Sequence, residues 1–379
     1  MRRYASALSC HPVPAHAVGE AAGEVIEQLD GEDPTLAVCF ASAHFVGALD
    51  DAANALRNLL EPQVLVGGTA GGIIGGSHEV EAGPAFSVFA AHLPDATLTP
   101  VALRLEETPD GAAVTGWPPD VDAATTLILF ADPFTFPADA FLRRLNEERP
   151  GLAVIGGLAS AAGHPGGNRL VLDHQVRPDG AVGVFVDGAT VETVVSQGCR
   201  PIGQPFTVTR AEQNVIVELG GQPALRRLEE LAAGATEADR DLLRGGLQVG
   251  LVVDEHKVEF ERGDFLIRSV LGADRDAGAI AVGDHVDVGQ TLQFQVRDGV
   301  AADEDLRALL ASHAADGALL FTCNGRGQHL FGVPDHDSGV VAQLLGPVPL
   351  AGAFCAGELG PVGGRNFLHG FTASLALFS

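Results

Sequence analysis

The sequence predicts a mixed α/β protein of two domains, built from repeated βαβ units with buried parallel strands and added antiparallel strands. Three observations predict it. One design recurs three times: a short apolar run ending in Phe, a helix-compatible stretch, and a second apolar run opening into small residues. The copies span residues 36–71, 127–160 and 319–358, with Phe40, Phe130 and Phe321 closing the first runs. Each second run ends at an aligned glycine: Gly67, Gly156 and Gly352. Finally, 379 residues exceed one ordinary domain and suit two.

The elements follow in order. Residues 16–29 carry Ala17, Ala21, Val25 and Leu29 at one-turn spacing, an amphipathic helix. The first repeat has its helix at 48–60, stopped before Pro62, and then a glycine-rich loop at 67–76. Runs 85–92 and 97–105, joined by Leu93-Pro94-Asp95, read as an antiparallel hairpin. The second repeat's helix lies between Pro137 and Pro150, and short strands follow at 169–173, 181–186, 193–197 and 206–211. Residues 219–246 read as helical, with Pro223 near the start and Gly245-Gly246 past the end. Strands at 247–253, 265–270 and 291–297 and a helix at 303–313 lead into the third repeat. The alternating run 371–378 closes the chain as a strand. The expected domains are a helical flank at 1–32, a first domain at 33–220, a second at 221–365, and residues 366–379 as the strand completing the second. Copies one and two then fall in the first domain and copy three in the second.

The net charge of −26 argues against a nucleic-acid partner, because phosphate would be repelled. No window approaches the roughly 20 apolar residues of a membrane span. Arg2 and Arg3 have no apolar segment behind them, so neither a signal nor a transit peptide is expected, and a cytoplasmic location is. Cys10, Cys39, Cys199, Cys323 and Cys355 are scattered without a C-x-x-C pair, which disfavours a disulfide frame or zinc site. Cys39, inside an apolar run, reads as core. The histidines show no ligand spacing, so no metal is expected.

Two residues beyond each aligned Phe stand Ser42, Asp132 and Cys323, a different polar group at each equivalent strand end. In parallel sheets, ligands sit at such ends. Cys323-Asn324-Gly325-Arg326-Gly327 combines glycines that permit close backbone approach, a planar Arg fork for carboxylate or phosphate, and a Cys near a cation. Its plain structural reading is a tight turn with a salt bridge. Gly357-Glu358 leaves the neighbouring run; Glu358 reads either as a ligand contact or as the ion-pair partner of Arg326. Thr69 and Gly71 lie in a loop that lacks the G-K-[ST] ending of a phosphate loop, leaving an anion-binding nest or a structural turn. Asn366 and Thr372 lie on one face of a continuous strand and His369 on the other, which weakens a Cys323–His369 catalytic pair.

These residues resemble a known family. Phe265-Leu266-Ile267-Arg268, Gly289-Gln290, Phe294 with Arg297-Asp298, the Cys323 to Gly327 turn, Gly352 with Gly357-Glu358, and Phe367-Leu368-His369 with Thr372 occur in the order of the FIST C domain. Residues 66–72 after a strand resemble the FIST N domain, and the resemblance covers roughly residues 33–365. It implies a sensory module of signal transduction that binds a small polar ligand such as an amino acid, with no cofactor and no assigned catalytic set. The expected ligand-binding residues are Thr69, Gly71, Cys323, Asn324, Gly325, Arg326, Gly357 and Glu358, with Arg268, Arg297, Asp298, His369 and Thr372 in support. Output would pass to a separate signalling partner. The alternatives are an enzyme using Cys323 as nucleophile or Glu358 as acid/base, and a protein-interaction scaffold.

Overall fold

A computed structural model of the chain describes residues 2–109, 111–119, 121, 125–257 and 259–379. Two compact units emerge. The first comprises Met1–Val195, Leu306–Leu368 and Thr372–Ser379; the second comprises Ser196–Asp305 and His369–Phe371. All three repeats belong to the first unit, which corrects the expectation that copy three sits apart from the other two.

Each copy is a βαβ unit with a third strand on its far side. Leu36–Ser42 pairs in parallel with Val64–Ala70 and antiparallel with Phe86–His92. Thr126–Ala131 lies likewise between Ala153–Leu158 and Ala181–Asp187. Gly317–Cys323 lies between Leu350–Cys355 and Thr372–Phe378. An outer strand follows on that side of each sheet: Arg3–Ser9, Thr97–Thr108 (with Gly111–Thr115 beyond it) and Val191–Gln197. The three copies form three separate sheets.

What ties the sheets together is an exchange of hairpins. Ile73–Gly75 and His78–Val80, which follow copy one's second strand, extend the sheet of copy three. Leu170–Leu172 and Gln175–Arg177, from copy two, extend copy one. Glu358–Val362 and Arg365–His369, from copy three, extend copy two. Each second strand thereby gains a partner on the side that would otherwise be an open edge.

The three inner faces meet in one core. Phe40 lies with its ring centroid 5.5 Å from that of Phe130 and 5.8 Å from that of Phe321, both edge-on, so the aligned aromatic of every copy meets at the centre. The outer faces bury against helices: Pro14–Leu29 and Leu49–Leu60 on the first sheet, Ala138–Glu148 on the second, His336–Leu345 with Leu306 and Leu310 on the third. Strands covered on both faces need apolar residues at every position, which is why the repeat runs do not alternate.

The aligned glycines have one steric cause. A Cβ on Gly67 would lie 1.8 Å from the carbonyl oxygen of Cys39; on Gly156, 1.8 Å from that of Leu129; on Gly352, 1.9 Å from that of Leu320. The blocking carbonyl belongs each time to the residue just before the central Phe. No side chain fits there.

In the second unit the strands Thr291–Arg297, Phe206–Glu212, Val215–Leu219, Ala279–Val282, Phe265–Asp274 and Leu247–Val252 pair antiparallel in that order, and the last returns to the first. The ring is a small closed barrel. The expected helical region 219–246 resolves into Ala224–Gly234 and Glu237–Arg244, with Leu225, Leu228, Leu242 and Leu243 packing on the barrel core.

Three further expectations need correction. Runs 85–92 and 97–105 do not pair with each other: Phe86–His92 takes Arg3–Ser9, a strand absent from the sequence reading, and Thr97–Thr108 takes Ala181–Asp187. The run 371–378 does not complete the second domain; Thr372–Phe378 is buried along its whole length in the first unit. The glycine-rich segment 67–76 is mostly strand, since Val64–Ala70 and Ile73–Gly75 leave only Gly71 and Gly72 between them.

Candidate functional site at the strand ends of the third copy

The carboxyl ends of the second strands converge. Gly71, from copy one, donates its amide to Ser160 Oγ of copy two at 2.9 Å. Ser160 Oγ in turn donates to the Phe354 carbonyl of copy three at 2.5 Å. The Asn324 amide reaches the Cys355 carbonyl, and the Ala356 amide reaches that of Leu158, both through normal hydrogen bonds. A Cβ on Gly71 would stand 3.5 Å from Asn324 Oδ1, so those two positions are neighbours. Gly71, Asn324 and Ala356 are exposed, while Ser160 and Cys323 are half-buried. Together they rim a small patch made by all three copies.

Beneath the rim lies Glu358, fully buried. Its Oε2 accepts from Thr372 Oγ1 at 2.8 Å and from the Thr372 amide at 3.2 Å. Its Oε1 has no conventional hydrogen-bond partner among the described residues. Burial raises this carboxyl to about 8; the hydrogen bonds from Thr372, the charge of Arg326 and the weak thiol donor of Cys323 act in the opposite direction and do not overcome it. At neutral pH the side chain is therefore mostly a neutral acid, able to donate a proton.

Arg326 is also fully buried, but its carboxylate partner is Asp337, not Glu358. Nε donates to Asp337 Oδ2 at 2.7 Å and Nη2 to Asp337 Oδ1 at 2.8 Å, a bidentate pair. Thr322 Oγ1 adds a bond to Asp337 at 2.7 Å, and the His336 ring lies at 3.0 Å. Burial works to raise Asp337, yet the Arg326 charge and fork prevail and hold it well below the usual carboxylate range. The planar fork expected to grip an external anion is thus occupied within the fold. Only Nη1 lacks a protein partner among the described residues. The Phe331 ring stacks on His336 with centroids 3.4 Å apart and lies under the guanidinium at 5.2 Å.

A second buried acid joins this cluster from copy one. Glu79 accepts from the Ser338 amide at 2.7 Å, while its own amide donates to Asp335 at 2.6 Å. Burial, then the charges of Asp337 and Glu81, push Glu79 up to about 7 against the opposing bonds from Ser338. Neither Asp337 nor Glu79 was singled out in the sequence. Asp337 was the findable one: an acid in the first turn of a helix that follows the Arg326 turn by a few residues.

The remaining expected residues divide clearly. Gly325 donates to Cys323 Sγ at 3.4 Å, and the Gly357 carbonyl accepts from the Leu158 amide, so both shape the rim. Thr69 reaches the patch only through its carbonyl, which accepts from the Ser160 amide at 3.4 Å. It is fully buried, its amide donates to the Arg169 carbonyl, and its hydroxyl accepts from the Arg169 amide at 2.9 Å, which pins copy two's hairpin to copy one. No anion nest forms there. Of the strand-end series, Ser42 Oγ accepts from the Ala85 amide, and Asp132 holds Asn168, Thr135 and the Phe134 amide. Ser42 thus ties its strand end to the lead-in of Phe86–His92 and Asp132 closes its own loop, leaving Cys323 as the member at the patch.

Among the supporting residues, Thr372 is joined to Glu358 by the two hydrogen bonds above. Arg268 pairs with Asp284 at 2.6 Å, and Arg297 covers the Phe371 ring at 4.8 Å. Asp298 pairs with Arg200 at 2.6 Å and accepts from the Val300 and Ala301 amides. These contacts, with buried His369, belong to the second unit. The one-face argument for Asn366 and Thr372 fails, because Gly370 and Phe371, the latter at φ 63°, turn the chain between two different strands. Among the described residues no cluster of three or more His, Cys, Asp or Glu could hold a metal ion, and no helix is long and apolar enough to cross a membrane.

The comparisons with known proteins divide the chain linearly, near the change in composition at residue 220. The FIST N domain matches residues 35–222 and the FIST C domain residues 224–361. An uncharacterized protein of Mycobacterium tuberculosis, Rv0628c, is 46% identical over 377 residues, covering 98% of both chains. An uncharacterized protein of Mycobacterium bovis, Mb0898c, is 46% identical over 375 residues, covering 97% of this chain and 96% of its own. With both family domains matched in order across most of its length, the chain belongs to the FIST family.

Proposed function

We propose that the protein is a cytoplasmic sensory module that binds a small polar metabolite, of the amino-acid class, at the patch rimmed by Gly71, Ser160, Cys323, Asn324 and Ala356. The observation that carries this reading is Glu358: a fully buried carboxyl whose Oε1 has no conventional partner among the described residues, in contact with the half-buried Cys323 thiol of the rim. A buried acid left half-satisfied costs stability unless something compensates it. An ammonium group placed against it would drive off the proton and form a charge-assisted bond. Asn324 offers both a donor and an acceptor to the rest of the ligand. Arg326 acts through its field, with its fork held by Asp337. Signal output passes to a separate protein partner.

The test is a thermal-shift screen of the folded protein against amino acids, organic acids, nucleotides and aldehydes. A ligand at 100 times its dissociation constant adds about 2.7 kcal/mol of stability. A hit that Asn324→Ala and Glu358→Gln weaken, while releasing protons on binding to wild type, supports the reading. A folded, monodisperse protein that no compound stabilises overturns it.

A second reading rests on the Cys323 thiol acting on the Glu358 carboxyl. It makes Cys323 a nucleophile with the ionised fraction of Glu358 as its base. Alkylation rates of Cys323 across pH test it: a titration near that of an ordinary thiol, about 8.5, refutes activation.

A further inference from the structure

Cys323 and Cys355 stand opposite each other at the ends of two neighbouring parallel strands, in direct register. Adjacent strands lie about 4.8 Å apart, inside the roughly 4.4–6.8 Å that separates the Cα atoms of a disulfide. Both side chains point the same way. Cys323 lies two residues beyond Phe321, and Cys355 two beyond Ala353; Phe321, Ala353 and Cys355 all face the shared core. The two sulfurs are close enough to act on each other electrostatically.

The repeat does not require this pair. The residues equivalent to Cys355 are Ala70 in copy one and Ala159 in copy two, each three positions past the aligned glycine. Opposite Ala70 stands Ser42. A buried Ala therefore suffices for the packing, and only copy three sets two thiols face to face. They also differ in access. Cys323 is half-buried at the rim; Cys355 is fully buried, and its Sγ approaches so near to Gly157 that a Cβ there would lie 2.3 Å away. Arg326 places positive charge near Cys323, and Glu358 acts on both thiols.

We propose that Cys323 and Cys355 are a hydroperoxide-responsive dithiol that closes to an intramolecular disulfide. Cys323, the accessible member, attacks the peroxide: its sulfur is oxidised to the sulfenic acid, the O–O bond breaks, and the peroxide is reduced to an alcohol or water. Cys355 then attacks the Cys323 sulfur. The S–S bond forms, the S–O bond breaks, and the Cys355 proton leaves with the hydroxyl as water, Glu358 serving as the nearby carrier. The bond ties the two strand ends under the patch, and a dithiol reductant reverses it. The inference does not depend on which ligand the patch takes.

The experiment treats the full chain carrying Cys10→Ser, which removes the exposed thiol, with hydrogen peroxide. Non-reducing peptide mapping is expected to recover the Cys323 and Cys355 peptides linked, with the link lost on reduction. In a Cys355→Ala variant, carrying the residue that the other copies carry, dimedone labelling of Cys323 is expected to rise several-fold over the Cys355 parent. Equal dimedone labelling in the two proteins would overturn the proposal. So would a peptide map of the parent protein in which Cys355 stays a thiol after Cys323 is oxidised, a result that requires no variant to fold.

Discussion

Replacing Glu358 by Gln removes one buried ionisation while keeping the shape of the side chain and its acceptor oxygen for Thr372. Glu358 is raised from 4.5 to about 8 in the folded protein. Between those values the folded state holds a proton that the unfolded chain has released, so unfolding stability falls as pH rises, by about 1.4 kcal/mol per pH unit. The stabilisation is complete below the unfolded value and is lost as pH rises through the folded one. Across the whole window the ceiling is about 5 kcal/mol, reduced by whatever water and relaxation reach the site. Glu358→Gln has no such proton to lose. Urea unfolding of both proteins from about pH 5 to about pH 9 should therefore give stabilities that diverge in favour of the variant, by at least about 2 kcal/mol across that range. Glu79, raised to about 7, bends both curves alike and cancels in the difference. Asp337 acts oppositely: held well below the usual range, its contribution is present above the ordinary carboxylate value and fades as pH falls, outside this window. Parallel curves would refute the claim that Glu358 is a neutral acid at neutral pH.

The other predictions concern the frame. Gly67→Ala must displace a strand carbonyl 1.8 Å from the new methyl and should cost about 3 kcal/mol or more by chemical denaturation; Gly19→Ala, in helix Pro14–Leu29 with nothing within 4 Å, should gain about 0.5–1 kcal/mol. Arg326→Ala strands the buried Asp337 charge and should lose about 3–5 kcal/mol, so its loss of ligand binding would report unfolding and not recognition. Thr69→Val, which removes the bond from the Arg169 amide, should cost about 1–2 kcal/mol in the same assay and leave affinity for any ligand unchanged.

The repeat was legible because its physics is local. An apolar run before a helix and a glycine in the returning strand are fixed by neighbours within one copy, and the Phe recurs because each copy sends one to the shared centre. The site was legible where it follows from the repeat: Cys323, Asn324, Gly325, Gly357 and Glu358 leave strand ends, and strand ends converge. What escaped was everything set between copies. Glu79 comes from a hairpin of another copy, a long-range choice that no spacing encodes; the partner of Arg326 lies within the same copy, at a helix start that the repeat pattern does not mark. Thr69 illustrates the same limit from the other side. Its polar group in a glycine-rich run suggested ligand contact, whereas its hydroxyl and amide are taken by Arg169 at the start of copy two's hairpin. The linear domain boundary near 220 also follows the change in composition, while the compact unit returns to close the third sheet with Thr372–Phe378.

The cyclic exchange of hairpins explains why one copy can carry the chemistry. Every second strand is bordered by a hairpin from another copy, so the three sheets support one another and no single strand end has to hold the fold together. Copies one and two use the position two beyond the central Phe for structural hydrogen bonds, through Ser42 and Asp132. In copy three the same position holds Cys323, and the loop is held instead by backbone bonds such as the Asn324 amide to Cys355. With the frame secured elsewhere, buried groups that a lone βαβ unit could not carry are tolerable there: a bidentate Arg326–Asp337 pair, two raised carboxyls and two facing thiols. The third copy is also the one interrupted between its outer and leading strands by the barrel of Ser196–Asp305. Threefold redundancy in the frame and asymmetry in the polar groups are therefore two sides of one arrangement, in which all three copies secure the geometry and the third also carries the buried polar groups.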